Sequence, residues 1–257
     1  MYKLIKLLAN FIFTSFKYSM NIQSIPQQPT FTGRSKELKD ADKIMRNLMH
    51  EYPAFSTSRA KYYDIYTTKP QSRMKLMPIY WKLHAARNEL SKYEGSELIN
   101  KTFDMVKEEK NANCAEFATM ARGAFLANGY KDVKIGSLRI HFPREDSFLP
   151  PLMASKRADH NVLIVNAGKN AKLDDPKTMS KKAFIVDPWG GFCDYVANAF
   201  NKYKGVFLRD LPPEEQTAPK KFIFAEKHKM TITSSTCNSM AKKHPELVVN
   251  TTPLASS

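Results

Sequence analysis

Cysteine is scarce in this chain. Its 257 residues include three cysteines, Cys114, Cys193 and Cys237, so at least one thiol has no disulfide partner within the chain. The three lie far apart, which excludes the closely spaced cysteine pairs of zinc-binding motifs. We therefore expect a reducing, cytoplasmic compartment. In that setting an isolated cysteine is either a buried, inert thiol or a candidate nucleophile.

A hydrophobic run long enough to cross a membrane is missing from the N-terminus. The apolar stretch at residues 7–16 is shorter than the roughly 20 residues that a membrane-spanning helix needs. Residues 1–20 begin like a secretory signal, but no small-x-small cleavage site follows before Lys17. We expect an N-terminal arm and linker over residues 1–34, and contact of residues 1–20 with a membrane surface stays open.

Acidic residues are outnumbered in this chain. It has 25 acidic and 40 basic residues, which gives a formal net charge of +15. Such an excess favours an anionic partner, namely nucleic acid, a membrane surface or an acidic protein. The lysine pairs are scattered along the chain, and no zinc-finger, RNP or basic-zipper pattern accompanies them. We expect an acidic protein substrate rather than nucleic acid, with a solvated lysine-rich surface as the alternative.

The apolar residues predict the fold class. They make up 42% of the chain, enough for a large buried core, and no internal repeat is visible. Their helical spacing predicts helices over residues 35–52, 72–93 and 96–109. Runs of strand length follow at residues 133–140, 160–165, 183–186 and 221–225. The sequence therefore predicts an α+β fold, a helical N-terminal part followed by an antiparallel sheet.

The same pattern suggests three segments along the chain. After the arm and linker, one domain is expected over residues 35–230, with its helical part over 35–110 and a further helix plus the sheet over 111–230. Residues 231–257 are rich in serine and threonine. We expect them to form a partly disordered tail.

Cys114 stands where a helix is expected to begin. Asn113 and Glu116 give the Asn-x-x-Glu spacing of a capping box, and Asn128-Gly129 is a good left-handed end for the same helix. A helix N-terminus supplies partial positive charge, which stabilises a thiolate, and free N–H groups, which could hold an oxyanion. The alternative is a small buried thiol in the first turn of a core helix.

His160 and Asp187 stand at the ends of two apolar runs. His160 opens one run and Asp187 closes the next, so antiparallel pairing of the two strands would bring them together. A base of a thiol enzyme needs an acceptor that fixes its tautomer and stabilises its cation. Each residue also has a structural interpretation, a polar strand edge for His160 and an Asp-Pro turn for Asp187. His141 is a rival base without an equally good acid.

The order of these three residues resembles the transglutaminase-like branch of the papain-like cysteine enzymes. The resemblance covers roughly residues 108–195. It is carried by the helix that begins Asn113-Cys114-Ala115-Glu116-Phe117-Ala118 and ends at Asn128-Gly129-Tyr130, the strand through Val133 and Ile135, and the pieces Asp159-His160 and Val186-Asp187-Pro188. It implies a papain-like or transglutaminase-like core with no metal or organic cofactor. In this core Cys114 would be the nucleophile, His160 the base and Asp187 the orienting acid. The chain is also similar to secreted bacterial effectors that deamidate or cleave host proteins, which implies delivery into a host cell.

The sequence departs from the family at several positions. Ala112 stands where the family often has a glycine, and Val162 where it often has an aromatic residue. The glutamine that donates to the oxyanion in the papain branch has no counterpart shortly before the cysteine. Asn111, Asn113 or a backbone N–H group would have to serve instead. Trp189 is expected either to cover the site or to fill the core, and Cys193 is expected to be structural.

The resemblance implies a cysteine-dependent amide hydrolase or acyltransferase that acts on protein substrates. Glutamine deamidation, cross-linking and peptide hydrolysis all pass through a thioester, here on Cys114, and the acceptor decides among them. A glutamine deamidase or transglutaminase-like enzyme is the first hypothesis, and a cysteine peptidase is the second. The third, from another class, is a non-catalytic basic module that binds an anionic partner.

Overall fold

The computed structural model describes residues 35–56, 58, 70–141, 160–208, 213–218 and 220–249. The arm and linker expected over residues 1–34 lie outside these residues, as does the end of the chain from residue 250. Within the described residues, no helix is long and apolar enough to cross a membrane.

Helices form the first part of the described chain. They are α1 (Lys36–Glu51), α2 (Pro70–Leu90), α3 (Gly95–Glu109) and α4 (Cys114–Ala127). The three helices predicted before residue 110 are therefore confirmed, and Pro78 lies inside α2. The helix predicted to begin at Cys114 begins there, and Gly129 follows its end with a φ of 82°, in the left-handed region.

The strands form one antiparallel sheet. They are β1 (Val133–His141), β2 (His160–Val165), β3 (Phe184–Asp187), β4 (Phe192–Tyr195) and β5 (Lys221–Lys227). Their spatial order is β4-β3-β2-β1-β5, and every neighbouring pair is antiparallel. Helices followed by this sheet confirm the α+β class. The sequence did not predict β4, which is short.

Both faces of the sheet are covered. Leu163 and Val165 of β2 join the apolar cluster of α1, α3 and α4, whereas Val162 and Ile164 join a second cluster with α5 (Val196–Phe207). Burial on both faces explains why β2 is a continuous apolar run rather than an alternating one. A short helix, α6 (Pro213–Thr217), precedes β5.

Helix α4 is the centre of the first cluster. Every residue from Glu116 to Ala127 is buried, because α4 packs against the sheet and is flanked by α1 and α3. A helix that is buried on all sides needs small or apolar residues around its whole circumference, and the alanines of α4 meet that need. Cys114, at its exposed end, is half-buried.

The predicted tail is wrong for residues 231–249. They contain helix α7 (Ser234–Lys243), which packs against α4 and buries Cys237 and Met240. Composition misled here because the small polar residues begin a helix, as Thr233 and Thr236 form a capping box. His244 then fixes the segment to α3, because its Nε2 donates to Asn100 Oδ1 at 3.0 Å.

We expect Gly123→Ala to lower the free energy of unfolding by about 1–3 kcal/mol, as overpacking of a dense core does. A Cβ at this position of α4 would lie 2.6 Å from Ile99 Cγ2 and 2.6 Å from Phe103 Cε2, both on α3. Gly205 of α5 is the matched control, because nothing lies within 4 Å of its Cβ position. Gly205→Ala should raise the same quantity by up to about 1 kcal/mol. Urea denaturation measures both, and equal stabilisation by the two variants would contradict the close packing of α3 and α4.

Candidate active site

The turn before Cys114 is held by the segment that follows α1. Asn113 has extended backbone angles, and its Oδ1 accepts hydrogen bonds from Ser56 Oγ at 2.8 Å, Ser58 N at 3.0 Å and Ser58 Oγ at 2.9 Å. Its own N–H donates to Glu116 Oε2 at 2.9 Å, the glutamate half of the predicted capping box. These contacts fix the first turn of α4 and therefore the position of the Cys114 side chain.

Glu116 also holds α2 in place through an ion pair with Arg87. The guanidinium of Arg87 donates from Nε to Oε1 at 2.7 Å and from Nη2 to Oε2 at 2.8 Å, while the Glu116 side chain is 4% exposed. The pKa of Arg87 is raised above its ordinary value by the hydrogen bond to Glu116, against the effect of burial, and further by the charges of Glu116 and Cys114. The Arg87 guanidinium and the Cys114 side chain therefore interact electrostatically.

His160 and Asp187 meet as the antiparallel pairing requires. Strands β2 and β3 run in opposite directions with Leu163 opposite Val186, so the start of one lies beside the end of the other. His160 Nε2 donates to Asp187 Oδ2 at 2.7 Å, and both side chains are buried. This predicted contact is confirmed.

The other side of the His160 ring contacts the thiol. His160 is hydrogen-bonded to Cys114, and since Asp187 occupies Nε2, Nδ1 is the nitrogen that faces the sulfur. Burial by itself lowers the pKa of His160, but the charge and hydrogen bond of Asp187, together with those of Cys114, raise it from 6.5 to about 10. The ring is therefore a cation at neutral pH, between two acidic groups.

Asp187 is held by three donors. Besides His160, Gly190 N donates to its Oδ1 at 2.8 Å and Tyr203 Oη to its Oδ2 at 2.8 Å. The carboxylate is fully buried, so these hydrogen bonds replace the water that it has lost. A Cβ on Gly190 would lie 2.6 Å from Asp187 Oδ2, which explains why a glycine stands there.

Tyr203 was missed by sequence reasoning. It lies on α5, and its burial and the nearby Asp187 raise its pKa well above the ordinary value. The hydroxyl therefore stays protonated and remains a donor to the carboxylate. The sequence offers no local signal for this contact, because α5 reaches the site only through the packing of the second cluster on the sheet.

Aromatic rings enclose His160. The ring of Trp189 lies 4.6 Å from it, centroid to centroid, and those of Tyr203 and Phe207 lie 5.5 Å away. Trp189 is buried and donates from Nε1 to Ser58 Oγ at 2.9 Å. Trp189 therefore fills the core, one of the two roles considered for it, and also packs against the histidine. The rings exclude water from the pair of His160 and Asp187.

The two asparagines considered as oxyanion donors mainly hold the surrounding segments. Asn111 donates from Nδ2 to the carbonyl of Ile79 in α2 at 3.2 Å, and Asn113 accepts from the serines described above. The first backbone N–H groups of a helix have no acceptor within the helix. The N–H groups of Cys114 and Ala115 stand at this position, at the start of α4.

The two rivals in the sequence lie elsewhere. His141 is exposed at the end of β1, opposite Lys221 of β5. Cys193 is fully buried in β4, and its sulfur lies 3.7 Å from Met45 Sδ. The structural role expected for Cys193 agrees with this burial. Among the described residues, no group of three or more His, Cys, Asp or Glu side chains could hold a metal ion.

Comparison with known proteins does not identify a family for this chain. No protein-family model matches it, and searches of curated proteins and of solved structures find no significant match.

We expect Arg87→Gln to lower the free energy of unfolding by about 2–4 kcal/mol, because it leaves a buried carboxylate without its cation. The Arg87 side chain is 35% exposed, so the loss should be smaller than for a fully buried pair. Lys92→Gln is the matched control, since it breaks an exposed pair with Glu89 and should change stability little. Urea denaturation compares the two, and similar effects would show that Glu116 does not depend on Arg87.

The pKa of His160 predicts how stability depends on pH. Because the folded ring holds its proton up to about pH 10 and the unfolded ring releases it near 6.5, its contribution is complete below about pH 6.5. That contribution is lost as the pH rises towards 10. We expect the free energy of unfolding of wild type to fall over this range more steeply than that of Asp187→Asn. Urea denaturation at stepped pH measures both slopes, and parallel slopes would contradict a buried histidine cation.

Proposed function

We propose that this chain is a cysteine-dependent amide hydrolase or acyltransferase built on a papain-like or transglutaminase-like core. The observation that carries the proposal is the buried His160, which is hydrogen-bonded to Asp187 on one side and to Cys114 on the other. Hydrogen bonds thus connect the proposed nucleophile, base and orienting acid in that order, and the proposed nucleophile lies at a helix N-terminus. This is the arrangement that activates a thiol for attack on a carbonyl.

The fold supports the same proposal. The nucleophile comes from the first turn of a buried helix, and the base and acid come from neighbouring antiparallel strands packed against that helix. This order along the chain, helix then two strands, is the one on which the resemblance to the papain-like enzymes rests. The chain resembles these enzymes in the arrangement of its elements, and on this resemblance we propose a papain-like or transglutaminase-like core.

The first half of the reaction forms a thioester. With its proton on His160, the Cys114 thiolate attacks the carbonyl carbon of a carboxamide, and the carbonyl oxygen becomes an oxyanion. The first-turn N–H groups of α4 donate to that oxyanion. His160 then gives its proton to the leaving nitrogen, the C–N bond breaks, and ammonia or an amine departs. The acyl group remains on the sulfur of Cys114.

The second half releases the acyl group. His160, now neutral, takes a proton from water or from an amine, which attacks the thioester carbon. The C–S bond breaks and the Cys114 thiolate re-forms beside the imidazolium. Asp187 takes no part in the proton transfers, because its role is to hold the ring and stabilise its cation. Water as the acceptor gives hydrolysis or deamidation, and an amine gives a cross-link.

Cys114 should be the cysteine that iodoacetamide modifies first at about pH 6. At that pH an ordinary thiol is only ~0.3% ionised, whereas a cation beside the sulfur favours the thiolate. Cys193 and Cys237 are buried, and burial raises the pKa of the Cys237 thiol. Peptide mapping by mass spectrometry gives the rate at each site.

His160→Ala should slow this labelling of Cys114 by at least about tenfold, because the adjacent cation is removed. His50→Ala is the matched control, since His50 is an exposed histidine of α1 and its loss should not alter the rate. Equal labelling in wild type and His160→Ala would remove the histidine from the proposed mechanism.

The reaction itself can be identified by mass spectrometry of a cell lysate treated with the protein. We expect glutamine side chains converted to glutamate, or glutamine–amine cross-links, with wild type and not with Cys114→Ala. Asp187→Ala should retain more product than Cys114→Ala, because the acid orients rather than reacts. New N-termini would instead support the peptidase alternative.

A matched control is Cys237→Ala. It removes a thiol that lies beside the Tyr130 carbonyl, past the far end of α4, so product formation should persist. Products that form equally with Cys114→Ala, or no products with any variant, would contradict the proposal.

A further inference from the structure

A polar cavity, separate from the candidate active site, lies at the opposite end of the sheet from His160. Its volume is about 140 Å³, and its walls include Arg122, Lys131, Asp132, Lys134 and Glu226. Such a volume is ample for a tetrahedral or planar oxyanion with a few waters, since one water needs only about 10–15 Å³ measured in the same way. Nothing in the proposed reaction uses this cavity.

Arg122 is the unusual member of the cavity wall. It lies on α4, is 3% exposed, and donates from Nη1 to the carbonyl of His228 at 2.5 Å. Its Nε is buried and has no hydrogen-bond partner among the described residues. A buried guanidinium with an unused donor is costly, and its pKa is lowered to about 10 by that burial. An anionic acceptor in the cavity would remove this cost.

The two acids of the cavity wall have other cations. Asp132 accepts from Gly168 N at 2.6 Å and lies 3.8 Å from Lys134 Nζ. Glu226 lies 3.8 Å from Lys229 Nζ. Among the described residues, by contrast, neither Arg122 nor Lys131 has a carboxylate within ion-pair distance. The charge of Glu226 still acts on Arg122 and partly offsets the effect of burial on its pKa. The wall nevertheless carries three cations, Arg122, Lys131 and Lys134, against the two acids, and so has a net positive charge.

We propose that this cavity binds a small anion with a carboxylate or phosphate group, which the Arg122 guanidinium recognises from within and Lys131 from the rim. Arginine suits this role because its planar donors match the oxygen atoms of both groups. Met230 and Ile232 also line the cavity. They offer an apolar contact to the remainder of an organic anion.

The site is separate from the cysteine centre. On β1, Val133 is opposite Val165, whereas Leu138 is opposite His160. The two ends are therefore about 17 Å apart along the strand, at ~3.4 Å per residue. An anion bound there would not contact Cys114 or His160, so the anion site can be tested independently of the proposed function.

The test is the thermal unfolding of the full chain with inorganic phosphate and, in a parallel series, with acetate. Sodium chloride keeps the ionic strength equal in every sample, because a basic protein responds to salt alone. We expect a saturable rise in Tm of about 2–4 °C at saturating concentrations of at least one of the two anions. A response to phosphate alone indicates a phosphate group as the ligand, and a response to acetate alone indicates a carboxylate.

Two variants show whether the response comes from this cavity. Arg122→Met keeps the apolar stem and should abolish the rise in Tm, while Lys131→Ala, at an exposed position, should weaken binding about two- to fivefold. Lys107→Ala, an exposed lysine of α3, is the matched control and should behave as wild type. If Arg122→Met does not fold, the proposal is tested by comparing the anion-induced rise in Tm of Lys131→Ala with that of Lys107→Ala. No saturable rise in wild type, or the same rise in all variants, would overturn the proposal.

Discussion

The hydrogen-bonded pair of His160 and Asp187 is the interaction on which the site depends. Removing two ionisable groups from water costs several kcal/mol for each, and only close pairing with further hydrogen bonds offsets that cost. The structure supplies them through Gly190 and Tyr203, and the ring of Trp189 packs against the histidine. A histidine held in this way stays charged at neutral pH, which is what the sulfur of Cys114 needs beside it.

Helix α4 connects the candidate active site with the cavity that Arg122 lines. Its first turn carries Cys114 and is fixed by Glu116, which Arg87 of α2 holds from outside. Two turns later the same helix positions Arg122 in the wall of the polar cavity. Because α4 is buried from Glu116 to Ala127, it cannot move without disturbing the core, and the candidate active site and the cavity both depend on the position of this one helix.

Local patterns predicted much of this arrangement. Helical spacing gave α1, α3 and α4, the capping residues located the start of α4 at Cys114, and apolar runs with polar ends located His160 and Asp187. The features that the sequence did not predict depend on contacts between residues far apart in the chain. The donation of Tyr203 to Asp187 requires α5 to pack on the sheet, and α7 lies in a segment whose polar composition resembles a disordered tail. No short window of sequence contains either contact.

The proposed function requires that Cys114, His160 and Asp187 form one coupled charged unit. The most direct measurement is the titration of the His160 ring by NMR, in wild type and in Cys114→Ala. The account predicts that the wild-type ring stays protonated until about pH 10 and that its pKa falls when the thiol is removed, because Cys114 contributes to the raised pKa. A ring that titrates near the ordinary value of 6.5, and equally in both proteins, would contradict the account.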